Sequence, residues 1–130
     1  MSTSRSSEFE SWRKAAYRET EGFTALVILV RIGGDTVTPV ASTYFHLIGD
    51  DLTWSDFSAL LSRSGQTWDG VVIFPESDRG KGPIPDALAK IKLREIESRL
   101  GDDRIHINKG NFFDRWGRRM RVDEMPKLAQ

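Results

Sequence analysis

The chain has 130 residues, 38% of them hydrophobic and 29% charged, with Lys plus Arg at 19 and Asp plus Glu at 19. A chain of this length is expected to form one domain with a self-sufficient core, and its composition excludes an intrinsically disordered protein. The balanced charge argues against a surface built throughout for nucleic acid or anionic membrane. The lack of cysteine excludes disulfides, thiolate zinc sites and cysteine nucleophiles. The first ten residues have no apolar stretch of the signal-peptide kind, and the longest apolar run, Ala25–Val30, is too short to span a bilayer. A cytoplasmic protein with no membrane contact is expected.

Residues 1–6 read as a flexible tail. Ser7 and Glu10 have capping-box spacing, and Phe9, Trp12 and Ala16 recur at helical intervals, with Glu10, Arg13, Lys14 and Arg18 elsewhere on the cylinder. A helix over 8–20, ending before Gly22, follows. Phe23–Ile32 is an unbroken run of apolar and β-branched residues, the mark of a central strand covered on both faces. Gly33-Gly34-Asp35 is a turn signal and Thr36–Ile48 resumes as strand, so the pair reads as an antiparallel hairpin. Pro39 cannot donate to a ladder and marks a bulge, an edge or a late strand start.

Thr53 with Asp56 resembles a second capping box, and Trp54, Phe57, Leu60 and Leu61 form the apolar face of a short helix that Gly65 can close. Trp68–Phe74 is the next strand. A helix from Pro85 to Leu100 buries Leu88, Ala89, Leu93, Ile96 and Leu100, with Pro85 at its first position. Arg104–Ile107 alternates polar and apolar as a half-wet strand would. Phe112–Trp116 and Arg118–Val122 form a C-terminal hairpin around Gly117, and residues 125–130 read as a second flexible tail. The expected fold is α/β, with α+β as the alternative: a single domain over 1–130 in the order α-β-β-α-β-α-β plus the hairpin. Its mixed sheet would carry parallel neighbours joined by right-handed crossovers, an antiparallel edge, and helices packed on the sheet.

Two segments are not consumed by core patterning. The first is the loop 75–85, which places Glu76, Asp78, Arg79 and Lys81 around Gly80 and Gly82 between a strand and a helix start. Ligand sites often fall there, because helix N-termini present free N–H groups to anions. The loop is neither a P-loop nor a dinucleotide fingerprint, and Pro83 and Pro85 remove two donors. Its plainer reading is a solvated loop whose charges pair with one another. The second is Lys109–Arg121, where Lys109, Arg115, Arg118, Arg119 and Arg121 stand against Asp114, with Phe112, Phe113 and Trp116 interleaved. Arginine forks beside aromatic faces suit an acidic protein surface or a single-stranded nucleic acid, the latter disfavoured by the zero net charge. The plainer reading is a hairpin whose arginines lie in water along their aliphatic stems.

His46 and His106 sit between apolar strand residues and read as exposed or hydrogen-bonded sheet positions rather than ligands. No metal site is expected, since Glu76 and Asp78 lack the converging carboxylates an oxygen-ligand site needs, and no cofactor is implied. The leading expectation is a non-enzymatic module binding an acidic partner or anionic ligand through Arg79, Gly80, Lys81, Gly82, Arg115, Trp116, Arg118, Arg119 and Arg121. The alternatives are a small enzyme acting on a phosphorylated or carboxylated substrate, with Glu76 or Asp78 as general base and Arg79 or Lys81 as anchor, and a homodimer formed through a sheet edge or the hairpin.

Overall fold

Eight consecutive residues, Phe23 to Val30, have at most 1% of their surface exposed, and the architecture follows from covering them on both sides. The computed structural model describes residues 7–34, 36–49 and 51–121. The elements are α1 (Glu8–Thr20), β1 (Phe23–Gly33), β2 (Thr36–Leu47), α2 (Trp54–Ser62), β3 (Gly70–Glu76), a 3-10 turn (Asp78–Gly80), α3 (Asp86–Asp102), a 3-10 segment (Arg104–Lys109), β4 (Asn111–Asp114) and β5 (Arg119–Met120). The sheet order is β2-β1-β3-β4-β5. On one face Ala25, Val27, Leu29, Val71, Ile73 and Phe113 pack beneath α1 and α2. On the other, Leu26, Ile28, Val30, Val72, Phe74 and Phe112 pack beneath α3. Strand alternation sends successive β1 side chains to opposite cores, which is why the run is apolar throughout.

The helix starts form as their sequences require. Ser7 Oγ accepts from the Glu10 N–H at 3.1 Å and Glu10 Oε1 accepts from the Ser7 N–H at 3.3 Å, completing the capping box. Thr53 Oγ1 accepts from the Asp56 N–H at 3.1 Å. Helix α3 begins one residue later than expected, with Pro85 as its cap, and Leu88 is 38% exposed rather than buried. Arg13, expected on the wet face of α1, is only 3% exposed. It lies one helical turn from Phe9, so the same face that buries the ring carries its stem inward. Pro39 sits at a bulge in the edge strand β2: pairing passes from Leu29↔Ala41 to Val30↔Pro39, leaving Val40 as the extra residue.

Two expectations need correction. Every pairing in the sheet is antiparallel, whereas parallel neighbours were expected. Strands β2 and β3 do run in the same direction, each antiparallel to β1, but β1 lies between them, so the α2 crossover joins strands that do not touch. The second correction concerns 104–107, which is 3-10 helix rather than strand. Asp103 Oδ1 accepts from the Ile105 N–H at 3.0 Å, and local bonds run from His106 N to Asp103 O and from Gly110 N to Ile107 O. These local acceptors replace a ladder partner and reverse the chain, so β4 returns antiparallel to β3. The hairpin is present as β4 and β5; Val122, the tails 1–6 and 125–130, and Asp35 and Asp50 lie outside the described residues. No described helix is long and apolar enough to cross a membrane.

Because β1 feeds both cores, Leu26→Ala and Leu29→Ala should each cost about 2–5 kcal/mol through lost burial and a residual cavity. Urea unfolding of the two variants checks this on the two faces separately.

Candidate binding site

The loop 77–85 and the C-terminal hairpin lie at opposite ends of α1. The loop is tied to the helix C-terminus by the Gly82 N–H donating to Thr20 O at 2.8 Å, and the hairpin to its N-terminus by the Phe9 N–H donating to Gly117 O at 3.0 Å. From residue 9 to residue 20 an α-helix rises about 17 Å. The structure therefore does not bring the two basic segments expected from the sequence into one site.

The loop spends its donors on itself. The Asp78 N–H donates to Gly82 O at 2.9 Å and the Lys81 N–H to Asp78 O at 3.0 Å, while the Ile84 N–H donates to Thr24 Oγ1 at 3.0 Å. Arg79, Gly80 and Gly82 hold positive φ. Lys81 faces Glu21 at 3.5 Å and Lys92 faces Glu76 at 3.6 Å, so these charges pair within the molecule. Among the concavities of the described surface are five of about 230–540 Å³. Residues 77–85 line none of them; Glu76 alone borders one, a shallow groove shared with Lys92, Arg99, His106 and Lys109. A general base needs a concave site in which to meet its substrate, and Asp78 on its exposed turn has none among these five. Among the described residues no three His, Asp or Glu side chains come together as a metal-binding group.

A polar chain not anticipated from the sequence links β1, β2 and α3. His46 Nδ1 lies 2.8 Å from Thr24 Oγ1 and Nε2 lies 2.6 Å from Asp86 Oδ1. Asp86, a carboxylate, only accepts, so Nε2–H donates to it, and Nδ1 is hydrogen-bonded to Thr24 Oγ1, which also accepts from the Ile84 N–H. The His46 hydrogen bond, aided by the His46 charge, Tyr44 and Lys90, holds the Asp86 carboxyl below the ordinary carboxylate range against the opposing effect of burial. Hydroxyl, imidazole and carboxylate in a row are the parts of a nucleophilic triad. Here Thr24 is fully buried, and it lines none of the five concavities, so the row acts as a strut between elements. His46 is a hydrogen-bonded sheet residue, as its position between Phe45 and Leu47 implied. His106 is not a sheet residue: it lies in the 3-10 segment and stacks on Phe74, with ring centroids 5.8 Å apart and planes at 17°.

The hairpin tip is built differently. Asp114, the one acid in the basic segment, is only 9% exposed. Its Oδ1 accepts from the N–H groups of Trp116 at 2.8 Å and Arg118 at 3.0 Å, and its Oδ2 takes Arg118 Nε at 2.8 Å. Its backbone closes the turn through Gly117 N to Asp114 O and Asp114 N to Arg118 O. Trp54 Nε1 donates to Arg115 O at 2.8 Å and Arg115 Nε donates to Trp68 O at 3.0 Å. Gly117 has φ 78°, and a Cβ there would stand 2.9 Å from Trp54 Cγ and 3.2 Å from Ser7 Cβ, so the turn is pressed onto the ends of α1 and α2. On this fixed base Trp116 is 65% exposed, with the Arg118 guanidinium 5.1 Å from its ring centroid. Arg118 meets Asp114 through Nε, and its other four N–H donors take no part in that contact. Arg115 also borders a polar groove of about 330 Å³ lined by Ser58, Ser62, Gln66, Thr67 and Trp68.

The remaining expected residues sit along the hairpin shank. Arg119 lies over the Phe113 ring at 5.0 Å and donates to Asn111 Oδ1 at 3.1 Å. Arg121 borders a second groove with Asn108, Gly110 and Met120. The structure thus gathers Arg115, Trp116 and Arg118 at the tip, sets Arg119 and Arg121 on the shank, and leaves Arg79 to Gly82 elsewhere. Compared with known proteins, the chain matches no family model, and no curated protein or solved structure is detectably similar to it.

Two outcomes are expected. Asp114→Ala should cost about 1–3 kcal/mol by orphaning two backbone donors, and hydrogen exchange at the Trp116 and Arg118 amides should accelerate beyond the global change. The second concerns pH: burial first, then the charges of Arg99 and Lys109, lower the His106 pKa against Asp103. The unfolded chain then takes up this proton first, so stability falls as pH drops below about 6.5, the contribution being absent at higher pH. Urea midpoints measured on either side of that pH should differ less in His106→Phe than in the parent chain.

Proposed function

We propose that the protein is a non-catalytic binding module whose hairpin tip docks an acidic protein surface. The observation that carries this reading is a tryptophan held 65% exposed on a turn locked from beneath by a buried carboxylate. An aromatic anchor fixed before binding loses little conformational freedom on docking, and Trp with Arg is the pairing most enriched at binding hot spots. Arg118 beside the ring and Arg115 on the same turn carry planar donors that match carboxylates. The polar groove beside Arg115 extends the surface with hydroxyl and amide groups that can take a partner's backbone. The loop 77–85 has no part in this reading, because Lys81 is paired with Glu21 and the loop lies at the far end of α1. The enzyme reading is not favoured, since Glu76 faces Lys92 on a shallow surface. A cysteine-free chain suits a reducing compartment, and we place the module in the cytoplasm on that ground.

The test is an NMR titration of the ¹⁵N-labelled protein with a glutamate-rich peptide, repeated with an oligothymidylate of equal charge. The Trp116 indole and the Arg115 and Arg118 signals should move with the peptide. Trp116→Ala and Arg118→Ala should each weaken binding about tenfold or more, Trp116→Ala with an unchanged urea midpoint and Arg118→Ala with a lowered one, because it takes a partner from the buried Asp114 carboxylate. A tip that stays silent while other residues shift, or that responds to the oligonucleotide alone, defeats the proposal.

A further inference from the structure

The two edges of the sheet are guarded unequally. Strand β5 is two residues long and arginine-bearing, with Arg118, Arg119 and Arg121 in and around it. Strand β2 is twelve residues long and contains no Asp, Glu, Lys or Arg. It pairs with β1 alone, and no described strand covers its outer side. Edge strands normally carry charge, shortness or proline as protection against further pairing. Here Pro39 guards one end, and the imidazole of His46 at the other is drawn to Thr24 and Asp86, so Val40–Phe45 is left open. The cover on both faces leaves a groove along this strand, although Ala41 and Phe45 pack against one core, Tyr44 against the other, and Ser42 Oγ donates to Glu97 of α3. Beneath α2 a groove of about 300 Å³ runs along Leu29, Ala41, Thr43, Phe45, Leu60 and Leu61. Beneath α3 a second groove, of about 230 Å³, runs along Ile28, Pro39, Val40, Ala41, Ser42 and Glu97. Both open beside Ala41 and Ser42, so a strand laid along β2 would have side-chain space above and below.

We propose that the occupant is a second copy of this chain, joined by antiparallel pairing of β2 with β2 into a continuous ten-stranded sheet. The edge calls for a strand without charge, small or β-branched on alternate positions, and β2 meets its own requirement. A two-fold axis perpendicular to the sheet uses one patch twice and leaves no unsatisfied surface to propagate. The axis also limits the register, because directly opposed residues must share a face. Ala41 and Phe45 both pack toward the α1 and α2 face. An axis through Thr43 sets Ala41 opposite the partner's Phe45 and Phe45 opposite the partner's Ala41, small against large, with the two Thr43 side chains facing across the axis. Five paired residues, Ala41–Phe45, make a strip about 17 Å long and 10 Å thick, roughly 170 Å² on each side. That is well short of the ~800 Å² per partner of a standard stable interface, so the dimer is weak and depends on concentration.

The native absence of cysteine gives a clean test. Sedimentation velocity from about 1 µM to about 1 mM, the range expected for so small an interface, should show monomer passing to dimer. Thr43→Lys, which sets like charges opposite each other while its long stem reaches water, should remain monomeric throughout with an unchanged circular dichroism spectrum. Thr43→Cys should form a disulfide-linked dimer on mild oxidation, and Ser58→Cys, away from the edge, should not. A parent chain that stays monomeric, including one whose β2 amides shift only with an added unrelated peptide, overturns the proposal. So does a dimer that Thr43→Lys leaves intact. Trp116→Ala should not alter the dimer, which keeps this result separate from that of the hairpin tip.

Discussion

Everything in this fold is arranged around the need to dry both sides of one strand. From Phe23 to Val30 strand β1 has no wet face. Fully burying a Val, Leu, Ile or Phe side chain gains about 1.5–3 kcal/mol, so leaving either side open would forfeit several such contributions. Three helices meet the demand, α1 and α2 on one side and α3 on the other. The sheet then extends by antiparallel neighbours on both flanks of β1, and the elements bearing exposed chemistry are pushed to its margins.

The same burial creates one polar obligation. Thr24 lies near the start of the dry strand and is fully buried, where an unsatisfied hydroxyl is costly. Its oxygen takes the Ile84 N–H and is hydrogen-bonded to His46, which hands the connection on to Asp86. The start of α3 is thereby pinned beside β1 and β2. The loop before it, which on sequence grounds looked like the place for a ligand, is a constrained connector, with the Asp78, Lys81, Gly82 and Ile84 amides and the Lys81 charge satisfied within the chain.

What the sequence disclosed and what it withheld divide along the range of the interactions. The capping box at Ser7 and Glu10, the two-sided burial of β1, the β1–β2 hairpin and the irregularity at Pro39 are local facts, and local pattern was enough to read them. Which strand lies beside β1 is not local: β3 inserts on its far flank, and no spacing rule discloses that. The segment 104–107 alternates like a strand, but a preceding aspartate supplies a nearby acceptor and turns it into a 3-10 helix. At the hairpin tip, Arg115, Trp116 and Arg118 were legible as a basic aromatic cluster. The residue that organises them was not, because Asp114 looked like a stray negative charge. The signal was present in Asp114-Arg115-Trp116-Gly117, which has aspartate at the first and glycine at the fourth position of a type I turn.

The stitching of residues 7–9 to residues 117–119 has a consequence for how the polypeptide acquires its shape as it is made. The Gly117 carbonyl takes the Phe9 amide, Glu8 takes the Arg119 amide, and Phe9 lies edge-on to Phe113 with ring centroids 5.6 Å apart. The leading helix emerges from the ribosome long before its seat exists. Phe23, Trp54 and Phe57 can shelter part of its greasy side early, but the rest must wait until Phe113 has been added. Completion of native structure is therefore a late event, and a nascent chain halted before Phe113 would leave that helix with only part of its dock.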